Sequence, residues 1–384
     1  MKKLYLFNPE NDMALAYGGP YYMPPTNACK MANDLAALAM WYASDGSDVM
    51  IPDACQAAWM DMHCPISLQV NAVVDSLSGY DKVVPWGWSA SLIHRLATKG
   101  LDTGICPSSD QMDRIRLLSS RGTAVDVLNG LSLAGCIGQS ERLHSLQMCM
   151  DFVAGYPKVL LKAPWSGSGK GIQSFTGEID TPMQGWVSRL LRTQGYVVGE
   201  PFYDKVVDFA MEFISEGGEV RFAGYSLFET DVRGIYKENI LASDEEIERR
   251  LSVYVPVKVL MQVRQELETH LSTVISTDYE GYLGVDMMIC RVPEGYVVHP
   301  CVEINLRMNM GVVSRLLYDR FVYPGATGRY VVEFYPNPGE ALNAHQLIQS
   351  RYPLMIEDNR IKQGYLSLTP VFESSAYQAY IVVC

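Results

Sequence analysis

Apolar and polar residues alternate on both sides of Pro293-Glu294-Gly295, and this pattern constrains the fold more tightly than any other stretch of the chain. Successive side chains of a strand point to opposite faces of a sheet. Before the turn, Leu283, Val285, Met287 and Ile289 therefore share one face, and Gly284, Asp286 and Met288 the other. After it, Val302, Ile304 and Leu306 oppose Cys301, Glu303, Asn305 and Arg307. A two-residue turn at Glu294-Gly295 predicts a hairpin with Asp286 directly opposite Glu303. Two adjacent carboxylates repel one another and cost stability unless a cation joins them. Hard oxygen donors with room for further oxygens suit Mg²⁺, which makes Asp286, Glu303 and Asn305 candidate metal ligands. Arg307, two residues on, is placed to neutralise charge on a transferred group.

The second informative stretch runs from Val159 to Gly171: an apolar strand carrying Lys162, then Ala163-Pro164-Trp165-Ser166-Gly167-Ser168-Gly169-Lys170-Gly171. It matches neither a Walker loop, since Lys170 is followed by glycine, nor a dinucleotide fingerprint, since the spacing is G-x-G-x-G and strand-like residues (Ile172 to Phe175) follow. A glycine-rich turn between two antiparallel strands can fold its backbone N–H groups over phosphates, and Lys162 can add charge. Between the two stretches, Val197 to Pro201 reads as a strand that leaves through Glu200-Pro201. Pro201 has no N–H, so an acceptor and donor pair for a purine base at this hinge must come from Glu200 and from Phe202 or Tyr203. Asp208 is placed to accept from ribose hydroxyls.

Taken in order, Asp113-Arg114, Lys162 through Gly171, Glu200 with Asp208, and Asp286 with Glu303-x-Asn305-x-Arg307 resemble the ATP-grasp superfamily. The resemblance covers about residues 107–320. It implies a nucleotide clamped between two α+β subdomains with the glycine segment as lid, preceded by an α/β domain that helps hold substrate. It further implies ATP held by Arg114, Lys162, Ser166, Gly167, Ser168, Gly169, Gly171, Glu200, Phe202, Tyr203 and Asp208, and Mg²⁺ (with Mn²⁺ as an alternative) on Asp286, Glu303 and Asn305. Arg307 and Lys237 would take catalytic roles. The usual reaction of the family activates a carboxylate, in a small molecule or peptide, as an acylphosphate that an amine or thiol then attacks. A kinase that stops after phosphorylation and a non-catalytic nucleotide-binding protein are the rival readings, and no motif fixes a subfamily.

The remaining sequence agrees with this outline. A chain of 384 residues has room for two or three cores. Short β-like runs at 3–7, 49–51 and 82–84 alternate with helical patterns, predicting a parallel α/β domain over 1–106. The stripe Ala28, Met31, Leu35, Leu38, Tyr42 predicts one amphipathic helix. Ser108 with Gln111 predicts a capped helix over about 109–119, ended by Arg121-Gly122. The subdomains are then expected over 107–195 and 196–330, with 331–384 a C-terminal extension of no evident chemistry. Two loops that follow strands, Asn8 to Asp12 and Pro85 to Ser89, are placed to face substrate, because open α/β sheets bind ligands there. Arg315 reads as a helix surface charge able to pair with a carboxylate. The net charge of −12 argues against nucleic acid as partner. Nine cysteines without a C-x-x-C pair, no apolar run of membrane length and an N-terminus interrupted by Asn8-Pro9 make cytoplasm the expected compartment. Oligomeric state is not legible.

Overall fold

Three sheets, met one after another along the chain, carry the fold. The computed structural model describes residues 1–63, 65, 66, 68–166, 171–230 and 236–384. The first sheet is parallel: β1 (Lys3–Leu6), β2 (Ser47–Met50), β3 (Val70–Val73) and β4 (Lys82–Pro85), in the order β3-β2-β1-β4. Parallel neighbours need crossover connections, which here contain α1 (Asn11–Tyr17), α2 (Thr26–Asp34) and α3 (Ala54–His63), while α4 (Ala90–Thr98) follows β4. The single helix expected from Ala28 to Tyr42 is two pieces, α2 and a 3₁₀ segment, Ala36–Trp41. The second piece is buried on every side. Packing rather than amphipathic periodicity decides its conformation.

Ser108 and Gln111 form the expected capping box on α5 (Ser109–Leu118). Arg121-Gly122, read as the end of that helix, instead begins α6 (Arg121–Gly130) after a break at Ser119-Ser120. The second sheet contains β5 (Glu141–Leu143), β6 (Val159–Lys162), β7 (Ile172–Phe175) and β8 (Val197–Pro201), ordered β5-β8-β6-β7 and antiparallel throughout. Its apolar face packs on α7 (Leu146–Ala154) and α8 (Thr181–Gln194) through Phe152, Val153, Val187 and Leu190.

The third sheet is the frame of the molecule. It comprises β9 (Lys205–Glu216), β10 (Glu219–Thr230), β11 (Tyr236–Leu241), β12 (Gly281–Val292), β13 (Gly295–Asn305), β14 (Gly328–Phe334), β15 (Met355–Glu357), β16 (Arg360–Ser367) and β17 (Tyr377–Val383). The order is β13-β12-β9-β10-β11-β14-β17-β16-β15. Phe209, Met211, Leu283 and Val285 pack on α10 (Val257–Ile275) through Leu260, Val263 and Leu267, and α9 (Asp244–Leu251) joins that core with Ile247. On the other face α11 (Met310–Phe321) sets Val312, Val313 and Leu317 into a core shared with Trp41 and Trp86 of the first domain. The boundary expected at 330/331 falls inside β14, which pairs with β11 on one side and β17 on the other. Residues 331–384, including α12 (Glu340–Arg351), therefore continue the large sheet by filling the free edge of β11. Among the described residues no helix is long and apolar enough to cross a membrane.

Candidate active site

The β12–β13 hairpin sets Asp286 opposite Glu303, although its turn is not the one predicted. Val292 pairs with Gly295, so Pro293-Glu294 makes the turn. The register set by that turn would miss the Asp286–Glu303 pairing by two residues. An irregularity between Asp286 and Met288, facing His299 to Glu303, restores it. The same irregularity sends Cys301 into the core with Ile304 and Leu306, against strict alternation.

Asn305 Nδ2 donates to Asp286 Oδ2 at 3.1 Å, and Arg307 Nη2 donates to Asn305 Oδ1 at 2.9 Å. Burial and the neighbouring Glu303 push the Asp286 carboxyl up to about 7. Arg307 is clamped by Asp12 through Nε–Oδ1 (2.7 Å) and Nη2–Oδ2 (2.6 Å). Burial works against its charge, but Asp12, Glu303 and Asp286 more than offset this and hold the guanidinium above its ordinary range. Among the described residues no three His, Cys, Asp or Glu side chains cluster as a metal set. The candidate ligands are two carboxylates and one amide.

These groups line one cavity of about 1070 Å³, together with Arg121, Ser166, Glu212, Ser226, Asn239, Asn309 and Lys237. Several of them were not legible in sequence. Arg121, 4% exposed, donates from Nη1 to Ala163 O (2.7 Å) and to Ser166 Oγ (2.6 Å), while Nη2 lies 3.0 Å from the Glu303 carboxylate. It ties the root of the glycine segment to the candidate metal ligands. Glu212 is buried on β9, accepts from Asn309 Nδ2 at 2.8 Å, and is raised to about 8 by burial and by Asp286. The only sequence signal for Glu212 was an acid on the otherwise apolar run Phe209 to Ile214. Asp12, in the stretch singled out after the first strand, lies in the first turn of α1 and not in a loop.

Other sequence-derived assignments fare differently. Arg114 does not reach the cavity; it pairs with Asp278 at the surface, because its position on α5 faces the end of α10. Arg121, seven residues on, lines the cavity instead. Lys162 is buried and its Nζ is 2.9 Å from Glu200 Oε2, so both side chains are directed at each other and not at the cavity. His299, fully buried beside this pair, is pushed down to about 4 mainly by burial. The Phe202 N–H donates to Lys158 O at 2.9 Å, so it is not the free hinge donor. Tyr203 packs edge-on against His299 with ring centroids 5.2 Å apart. Asp208 accepts from Lys205 Nζ (2.5 Å) and Thr230 Oγ1 (3.0 Å). Lys237 is an exposed cavity-lining residue, 4.0 Å from Glu229. Gly167, Ser168 and Gly169 lie outside the described residues; Gly171 is fixed through Ala163 N–H to its carbonyl (2.7 Å). A Cβ at Gly171 would overlap Ser166. Arg315 is neither a surface charge nor a substrate ligand, being buried against Ala242 O, Asp244 and Asp319. Trp86 lines the cavity, and its carbonyl accepts from Met308 N–H at 2.8 Å.

No family model and no curated protein matches the chain. Solved structures do. A biotin carboxylase from Campylobacter jejuni, described as a β-γ-ATP complex, aligns with a TM-score of 0.54 at 12% identity over 100% of this chain and 87% of its own. The biotin carboxylase domain of 2-oxoglutarate carboxylase from Hydrogenobacter thermophilus, complexed with MgADP, ADP and bicarbonate, aligns at 0.54, 13% identity and 100% and 86% coverage. N5-carboxyaminoimidazole synthetase from Staphylococcus aureus, complexed with ADP, gives 0.50, 12%, 100% and 93%. The chain has the ATP-grasp fold: two α+β layers closing on a cleft, behind a parallel α/β domain.

Proposed function

We propose that this chain is an ATP- and Mg²⁺-dependent ligase that activates a carboxylate as an acylphosphate for attack by an amine or thiol. The observation that carries the reading is the convergence of Asp286, Glu303, Asn305 and Arg307 with Arg121 on one cavity wall. The raised Asp286 carboxyl marks a site that gains from a divalent cation, and the donors are hard oxygens, so the residues fit Mg²⁺. Asp286, Glu303 and Asn305 would hold it. When bound, the ion screens phosphate charge from the incoming nucleophile. Arg307, oriented by Asp12, stabilises charge on the phosphoryl group in flight, and Arg121 holds Ser166 beside the candidate metal ligands. A substrate carboxylate oxygen attacks the γ-phosphorus and ADP leaves. The amine nitrogen or thiol sulfur then attacks the acyl carbon, phosphate leaves, and the nucleophile loses its proton. The fold shared with nucleotide-complexed carboxylases and a synthetase is consistent with this chemistry.

The test is a screen of carboxylates for ATP-dependent hydroxamate formation in the presence of hydroxylamine, with ADP release measured in parallel. ADP and hydroxamate in equal amounts support the ligase. A stable phosphorylated product that hydroxylamine does not capture would replace it with a kinase. Tight ATP binding without turnover across the panel would leave only nucleotide binding.

A further inference from the structure

Beyond Asp286 along the cavity floor, three polar side chains on β9, β10 and β11 line the same cavity: Glu212, Ser226 and Asn239. Asp286 on β12 pairs with Ala210 on β9, and Ala210 pairs with Ser226 on β10. Ser226 therefore stands two strand spacings, about 10 Å, from Asp286 on the same face. Glu212 lies two residues from Ala210 on that face. Asn239 on β11 is fully buried, and its Nδ2 donates to Ser226 Oγ at 2.6 Å. In this orientation Oδ1 is the amide atom left over, and among the described residues it is buried with no hydrogen-bond partner. A buried, unpaired carbonyl oxygen carries a desolvation cost that a ligand supplying the missing donor would relieve. Glu212 gives one oxygen to Asn309. Gly311 leaves room for the other oxygen and for Ser226 Oγ, since a Cβ at 311 would overlap both.

We infer that Asn239, Ser226 and Glu212 form the acceptor subsite, and that they select a nucleophile bearing N–H groups, an amine, over a thiol. The choice follows from hydrogen-bond inventory. An ammonium or amine offers several donors to Asn239 Oδ1 and Glu212, whereas a thiol is a weak donor and a thiolate is none. A thiolate would also face the Glu212 carboxyl without a cation among the three residues. Arg121 and Arg307, beside the candidate metal ligands, are matched to the electron-rich carboxylate and phosphate. The assignment rests on the ligase reading for its meaning, but it can be tested without turnover.

The experiment is calorimetric titration of the full chain, wild type and Asn239→Leu, with n-butylamine and with n-butanethiol. The expected result is measurable amine binding in the wild type, weakened at least tenfold in Asn239→Leu, with thiol binding undetectable in both. No detectable amine binding, equal thiol binding, or unchanged amine affinity in Asn239→Leu overturns the assignment. Asn239→Asp, which keeps an acceptor oxygen, should retain the affinity and guards against misfolding of the leucine variant; loss there equal to that in Asn239→Leu also counts against it. The hydroxamate assay separates the two ideas. Amine binding without hydroxamate removes the ligase and leaves the subsite, and hydroxamate without amine selectivity does the reverse.

Discussion

Glu303 meets Arg121 on one side and Asp286 on the other, so its charge and its hydrogen bond can be separated by substitution. Glu303→Gln keeps an oxygen for Arg121 and removes the charge. Magnesium-dependent turnover should fall roughly 100-fold or more, the scale of losing one transition-state electrostatic contact, with a cooperative melt retained. A magnesium titration of kcat checks this, and unchanged kcat removes Glu303 from the metal set. Lys162 calls for the opposite expectation. It is buried against Glu200 with both side chains under 5% exposed, so Lys162→Ala leaves an unpaired buried carboxylate and should cost about 3–5 kcal/mol of stability. The double variant Lys162→Met, Glu200→Leu should recover most of that loss. Urea unfolding of the three proteins decides it, and a single variant as stable as wild type would show that the pair is not a buried one. The sequence exposed the residue types of this site and the Asp286–Glu303 pair, but not the other pairings. Lys162 and Glu200 are 38 positions apart and meet only because β6 and β8 are neighbours. Arg121 and Arg114 are seven positions apart on helices that a two-serine break points in different directions, and periodicity alone does not show which one faces inward.

At the scale of elements, the strands were legible and their irregularities were not. Alternation across 283–307 predicted the hairpin, while the shift at Met287 that brings Asp286 to Glu303 has no marker in composition. Such irregularities re-aim side chains beside functional sites, so the agreement on the final pair came from two offsetting departures in the turn and the ladder. Helix α11 illustrates a contact that patterning does not reveal: Gly311 lies in its first turn against Glu212 and Ser226. Gly311→Ala would push a methyl group into both, displacing Glu212. Amine-dependent turnover should fall at least tenfold, with stability reduced by about 1–3 kcal/mol from overpacking. Steady-state kinetics with amine varied, beside thermal melts, read out both effects, and unchanged values in both would mean the pocket is looser than its geometry. The C-terminal strands were read as an extension because they carry no motif. Their role is edge pairing: β14 joins β11 to β17, and a chain ending at Thr327 would expose the β11 edge and the core around Tyr330, Ala379 and Ile381. That truncation should fail to give soluble folded protein, as judged by far-UV circular dichroism, whereas a separable extension would leave a cooperative melt.

Across the whole molecule, the first domain and the large sheet share one core, in which Trp41, Trp86, Val312, Leu317 and Tyr330 belong to the same cluster. Asp12 of the first domain reaches Arg307 of the third sheet. Charge in the cleft therefore acts on the stability of the entire assembly and not on a loop. Two acids carry the effect: Asp286, raised to about 7, and Glu212, raised to about 8. Their ordinary values are 3.8 and 4.5, so between those values and the raised ones the folded protein holds more protons than the unfolded chain. Stability then falls as pH rises, because ∂ΔG_unfold/∂pH is negative wherever the native state binds the extra protons. The contribution is fully present below about pH 4 and is lost as pH passes through 7 and 8. Metal-free protein should accordingly melt at progressively lower temperature between pH 5 and pH 9, other groups being equal. A divalent cation on Asp286 and Glu303 competes with the proton, so its stabilising effect should be small at pH 5 and grow towards pH 8 by mass action on the folded state. Thermal melts at fixed ionic strength, with and without magnesium, across that range measure both slopes. In Glu303→Gln the carboxylate neighbour that helps raise Asp286 is gone, so the pH slope should flatten and the magnesium gain should shrink together. A magnesium gain independent of pH, or one that persists in Glu303→Gln, would place the ion elsewhere in the molecule.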